Sequence, residues 1–75
     1  MTPEALLIEC GCALTTQGWQ VPPPFTHATV FLPRDARKSL RYLAGIIRGR
    51  IVSATGKEKA ELERLLGKVE SGNAA

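Results

Sequence analysis

Gly11-Cys-Ala-Leu14-Thr-Thr-Gln-Gly18-Trp-Gln-Val21 is the stretch on which the fold turns. Cys12 to Thr16 reads as a strand, Gln17-Gly18 as a turn in which glycine supplies a positive φ, and Trp19-Gln20-Val21 as the antiparallel return. Upstream, Thr2-Pro3-Glu4 is a helix start. It offers a hydroxyl N-cap, a proline where the N–H has no intrahelical partner, and an acid at the positive end of the dipole. That helix runs through Leu6, Leu7 and Cys10, and Gly11 is placed to end it in a left-handed cap.

Downstream of the hairpin, Pro22-Pro23-Pro24 cannot donate to a ladder and gives a stiff extended connector. His27 to Leu32, with Thr29, Val30 and Phe31, reads as another strand or as a continuation of the second beyond the prolines, closed by Leu32-Pro33. The clearest element follows. Ala36, Leu40, Leu43, Ala44, Ile47 and Ile51 fall within an arc of roughly 80–100° at 3.6 residues per turn. Arg34, Arg37, Lys38, Arg41 and Arg48 form a ridge centred roughly 110° away. Gly45 and Gly49 weaken the later turns of this helix. After the loop Ser53-Ala-Thr-Gly, Thr55 and Glu58 fit a capping box that starts a third helix, with Leu62, Leu65, Leu66 and Val69 as its stripe and Lys57/Glu61 one turn apart. Residues 71–75 read as a flexible tail. The expected fold is therefore α+β, a single αββαα domain (helix, β-hairpin, helix, helix) over residues 1–70.

Seventy-five residues allow one domain with a thin core, and association into a homodimer would help it. Hydrophobic residues at 44% and charged residues at 23% exclude a disordered acidic or basic tail. No apolar run nears the roughly 20 residues of a membrane-spanning helix. Met-Thr-Pro-Glu has neither the basic nor the apolar region of a secretory signal, so a cytoplasmic location is expected. The net charge of +3 is segregated. Residues 1–33 hold Glu4 and Glu9 and no cation, whereas residues 34–50 hold six cations against Asp35 alone. That segment calls for an anionic partner, either an acidic protein segment or nucleic acid.

Cys10 and Cys12 are too close in sequence for good disulfide geometry, and two thiols do not make a zinc site. His27 offers a third ligand and nothing offers a fourth, so no metal and no cofactor is expected. One histidine, no carboxylate pair in an apolar setting, no phosphate loop and no nucleophile elbow argue against an enzyme. The one conceivable nucleophile–base pair, Cys10 or Cys12 with His27, has little room in so small a chain. Trp19 is either an exposed anchor or core packed on the first helix. Phe25 and Phe31 read as core. Pro22 to Pro24 reads as a spacer rather than a ligand for an aromatic groove.

The pattern Glu4-Ala-Leu-Leu7 leading to Cys10, then Gly11, Leu14, Gly18 and Val21, resembles the start of TubC-type N-terminal docking domains of hybrid peptide and polyketide synthetases. Leu32-Pro33 with Leu40-Arg41 resembles that family's entry into its next helix. The resemblance covers residues 2–47, and the stretch from Pro22 to His27 is longer than the family's connection. It implies an αββαα fold and protein recognition, with an acidic tail added as a strand along the hairpin edge. Trp19, Gln20 and Val21 would then give the edge, and the ridge of Arg34, Arg37, Lys38, Arg41 and Arg48 the charge. It also allows a stand-alone adaptor or inhibitor of a phage or plasmid. Thr29 to Asp35 with the two following helices also resembles a ribbon-helix-helix DNA-binding domain. There His27, Thr29 and Phe31, or Ala28 and Val30, would face the bases of the major groove. That alternative leaves residues 1–25 without a role.

Overall fold

The computed structural model describes residues 2–22, 25 and 30–74. Helix α1 spans Pro3–Glu9, strands β1, β2 and β3 span Ala13–Thr15, Gly18–Gln20 and Phe31–Leu32, and helices α2 and α3 span Ala36–Ser53 and Gly56–Ala74. The fold is α+β, in the order expected.

The ends of α1 follow local chemistry. The Thr2 hydroxyl accepts the Ala5 N–H at 3.2 Å. Gly11 takes φ +92°, and its N–H and that of Cys12 reach back to the Ile8 and Leu7 carbonyls, both at 2.9 Å. The chain then turns straight into β1.

The hairpin closes one residue earlier than the glycine suggests. Thr15 stands opposite Gly18, so the loop is Thr16-Gln17 and Gly18 is already the first residue of β2. The Thr15 hydroxyl ties this turn, accepting the Gln17 N–H at 3.1 Å and donating to the Gly18 carbonyl at 2.8 Å. Gly18 is held to glycine twice. Its φ is +123°, and a Cβ there would stand 2.1 Å from the Leu32 carbonyl oxygen of β3.

The sheet order is β1-β2-β3, both pairings antiparallel. For residues 30–32 this decides between the two readings of the later strand. The strand present among the described residues, Phe31–Leu32, is a separate third strand beside β2, and the Val21 N–H to Val30 carbonyl bond of 3.0 Å extends the pairing. His27, Ala28 and Thr29 lie outside the described residues. Leu14, Trp19 and Leu32 stand opposite one another and share one face of the sheet; Ala13, Gln20 and Phe31 share the other. Trp19 and Leu32 are buried, and all three of the second row are exposed.

The helices pack on each other and, through α2, on β3. Leu7, Leu40, Leu43, Ile47 and Val69 are fully buried where α1, α2 and α3 meet. The stripe of α2 is as expected except at two positions. Ile51, in the last turn, is only half-buried, and Ser39, in the first, is fully buried. Ser39 donates its hydroxyl to the Pro33 carbonyl, so a polar side chain on the buried side fastens the connection between β3 and α2.

Three expectations about α3 change. Glu58 does not complete a capping box with Thr55: its carboxylate accepts from Arg50 of α2 at 2.9 Å, and Gly56 at φ +60° makes the turn into the helix. Glu61 pairs with Arg64, not with Lys57. Residues 71–74 continue α3 where a tail was expected. Gly72 lies against Leu6, where a Cβ would come within 2.2 Å of the leucine Cδ1, and the Asn73 side chain donates to the Leu40 carbonyl at 3.4 Å.

Candidate functional site: the basic end of α2

The site begins at Asp35. Its carboxylate caps α2 by accepting the Arg37 and Lys38 N–H groups at 3.0 and 3.3 Å. On either side stand Arg34 and then Arg37, Lys38 and Arg41, all exposed. Arg37 and Arg41 sit one turn apart on the same flank of the helix, and Lys38 lies on the adjoining flank. Cations in a first turn oppose the helix dipole, at a cost of about 0.3–1 kcal/mol each when exposed. The fold gives no local return for them, since none of the four forms an ion pair among the described residues.

Two core contacts hold the main chain beneath this cluster. The Trp19 indole N–H donates to the Arg34 carbonyl at 3.2 Å, and Ser39 holds the Pro33 carbonyl. Trp19, at 2% exposure, is thus core packing and a positioning group, not an exposed anchor. Val21 is buried with it, and Gln20 is the exposed member of the three.

The expected edge is corrected by the sheet order. β2 is the central strand, with β1 on one side and β3 on the other, so Trp19, Gln20 and Val21 present no free edge. The edges belong to β1 and β3. Because Val21 bonds toward β3 and antiparallel pairs alternate, Trp19 and Leu32 bond to each other while the main chain of Phe31 turns away from β2. By the same alternation Leu14 turns outward on β1. On that side the Cys12 N–H is already taken by Leu7, which shortens the β1 edge. Phe31 is 39% exposed, so the expectation that both phenylalanines are core holds for Phe25 alone. The outward edge at Phe31 runs through Pro33 directly into the four cations.

The ridge also ends sooner than its spacing suggests. Arg48 pairs with Glu70, and Arg50 with Glu58, both acids lying on α3. Arg48 is therefore engaged within the fold. What remains without an ion pair among the described residues is a compact cluster at the N-terminal end of α2, next to β3.

Elsewhere the chemistry is quiet. Cys10 and Cys12 are buried free thiols. Burial pushes both up, Cys12 to about 12, helped by the neighbouring Cys10; for Cys10 the burial outweighs the opposing Lys68 and Arg64. Such thiols stay protonated at neutral pH and are poor nucleophiles. Among the described residues no group of three His, Cys, Asp or Glu side chains could hold a metal ion. His27, the conceivable base or third ligand, lies outside them. A hollow between α1 and α3, of about 560 Å³, is bordered by Glu9, Arg64 and Lys68, which are already in ion pairs. Among the described residues no helix is long and apolar enough to cross a membrane. No family model, curated protein or solved structure matches the chain.

Proposed function

We propose that this protein is a small, non-catalytic docking module that takes an extended, acidic segment of a partner protein. The segment adds beside β3 at Phe31, and its carboxylates meet Arg34, Arg37, Lys38 and Arg41. The observation that carries this reading is the set of four unpaired cations next to an outward-turned strand edge. Main-chain bonds at the edge give the segment its direction, and the Phe31 ring gives it an apolar contact. The cations give preference for acids and a faster encounter. A protein segment suits the surface better than a nucleic acid. A phosphate backbone gains from a long basic ridge, but here Arg48 and Arg50 are drawn to α3, while the apolar Phe31 and Leu14 stand exposed. Two protonated, unbridged thiols suit a reducing compartment such as the cytoplasm.

The test is fluorescence anisotropy with a labelled peptide of alternating glutamate and valine, and with a labelled random DNA duplex, at about 0.15 M salt. The peptide binds, and Arg37→Glu with Arg41→Glu weakens it by at least about tenfold without lowering the thermal midpoint. Lys57→Glu with Lys59→Glu, the same charge change on α3, leaves it nearly unaltered. Equal loss in both variants would reduce the effect to net charge. Duplex binding tighter than peptide binding at this salt would favour the DNA-binding alternative.

A further inference from the structure

The strand edge beside the cations has a direction. The main chains of Val30 and Leu32 are bonded toward β2, so among the described residues Phe31 is the position of β3 that offers an outward N–H and carbonyl. The pairing does not extend toward α2. Pro33 has no N–H, and its carbonyl accepts the Ser39 hydroxyl. Arg34 follows at once, and Arg37, Lys38 and Arg41 follow it on α2, whereas residues 1–33 contain no Lys or Arg. Along the chain, β3 thus presents a pairing position first, a closed position second and the cations third.

A segment beside Phe31 can run in either direction. In an antiparallel pair Phe31 exchanges both of its bonds with a single residue; in a parallel pair the two bonds go to different residues. With one outward residue on offer, antiparallel pairing closes a complete pair, and it is the pairing the sheet already uses twice. Parallel pairing is also the weaker per residue. In the antiparallel arrangement the residues before the paired one lie alongside Pro33 and Arg34, and those after it run away from the cations.

We infer that the site reads the order of its partner segment: acids first, then a β-branched or aromatic residue paired with Phe31, the segment running antiparallel to β3. This rests on the docking function proposed above and adds direction and order to it. Residues paired across strands share a face, so the apolar residue stands beside the Phe31 ring, on the exposed face with Gln20 and Ala13. The residue before it falls on the other face, beside the buried Leu32, where a charge is disfavoured. Acids therefore begin about two residues before the apolar one. Arg37 and Arg41 are about 6 Å apart along α2, a distance that about two residues of extended chain cover, so a short acidic run reaches both. A segment of the reverse order, held antiparallel, would carry its acids past Val30, away from every cation of the site.

The experiment uses the whole chain and two peptides of one composition, four glutamates followed by Val-Thr-Val-Thr and the same residues reversed, each acetylated and amidated. Calorimetric titration at about 0.15 M salt gives at least about tenfold tighter binding of the glutamate-first peptide. Its complex shows a nuclear Overhauser contact between the Leu32 Hα and the Hα of the peptide residue preceding the one on Phe31, a proximity particular to antiparallel strands. Equal affinity for the two orders, or tighter binding of the reversed peptide, overturns the direction and leaves the docking function standing. So does failure of both at millimolar concentration while the alternating glutamate–valine peptide binds. Failure of all three peptides strikes the docking function itself, and the direction with it.

Discussion

Both ends of α2 carry cations, two at the C-terminal end and four around the N-terminal one, and use them in opposite ways. At the C-terminal end Arg48 and Arg50 reach across to Glu70 and Glu58 and help seat α3. At the N-terminal end Arg34, Arg37, Lys38 and Arg41 meet no acid among the described residues, and Asp35 spends its carboxylate on main-chain N–H groups. One helix thus holds structural cations and uncommitted ones. The lesson is that a basic ridge read from periodicity is divided by what lies across from it. Only the part without an internal partner is available to bind anything else.

The first way to break the comparison is to ask whether both ends are equally well seated. Leu40 lies under the unpaired end and Ile47 under the paired end, both fully buried. Leu40→Ala and Ile47→Ala should each cost about 2–5 kcal/mol in urea unfolding. A cost at Ile47 alone would mean that the cations stand on a loosely held turn, and that the site is not prearranged. A smaller change sharpens the same point. Ser39→Ala leaves the Pro33 carbonyl without its donor and should cost about 1–3 kcal/mol. It should also broaden amide signals at Arg34 and Asp35.

Next come the cations themselves. Arg48→Ala removes an exposed ion pair, worth no more than about 1 kcal/mol. Arg37→Ala removes a cation that opposes the helix dipole, and should leave stability within about 0.5 kcal/mol or raise it slightly. If Arg37→Ala destabilised the chain more than Arg48→Ala, the division between the two ends would be wrong. The effect that vanishes at neutral pH is a titration. The Cys12 thiol rises from an ordinary 9.0 to about 12 in the folded chain. The unfolded chain therefore releases that proton first, and stability falls as pH rises from about 9 toward 12. Below pH 9 the cysteines add no pH dependence. Denaturation midpoints measured at a series of alkaline pH values check this, and in Cys12→Ala the decline should be shallower.

Much of this architecture is legible in the residues because its causes are local. Thr2, Pro3 and Gly11 bound α1 through capping chemistry, Gly18 marks the hairpin, and the leucine spacing orients α2. What could not be read depends on parts of the chain that meet only after folding. That β3 lies beside β2, and so moves the free edge from Trp19–Val21 to Phe31, follows from the close approach of Leu32 to Gly18. The bare Gly18 hints at such an approach without naming the neighbour. Glu58 and Glu70 meet Arg50 and Arg48 because α3 folds back along α2, and Glu58 has an equally good local reading as a cap. Ser39 is invisible to a hydrophobic pattern, since its burial rests on one hydrogen bond to Pro33. The last turn of α3 looks like a tail because Ser71, Gly72 and Asn73 are poor helix formers; Leu6 and the Leu40 carbonyl hold it in place.

The central claim is that the unpaired end of α2, with its neighbouring strand, is where an acidic partner segment binds. A 15N–1H amide titration of the whole chain with the glutamate–valine peptide, at physiological salt, tests it most directly. The account predicts shifts concentrated from Phe31 to Arg41, with Leu32 and the β2 amides following and the amides of Arg48 and Glu70 unmoved. Shifts centred on Arg48 and α3, or a uniform weak response that disappears with salt, would contradict it.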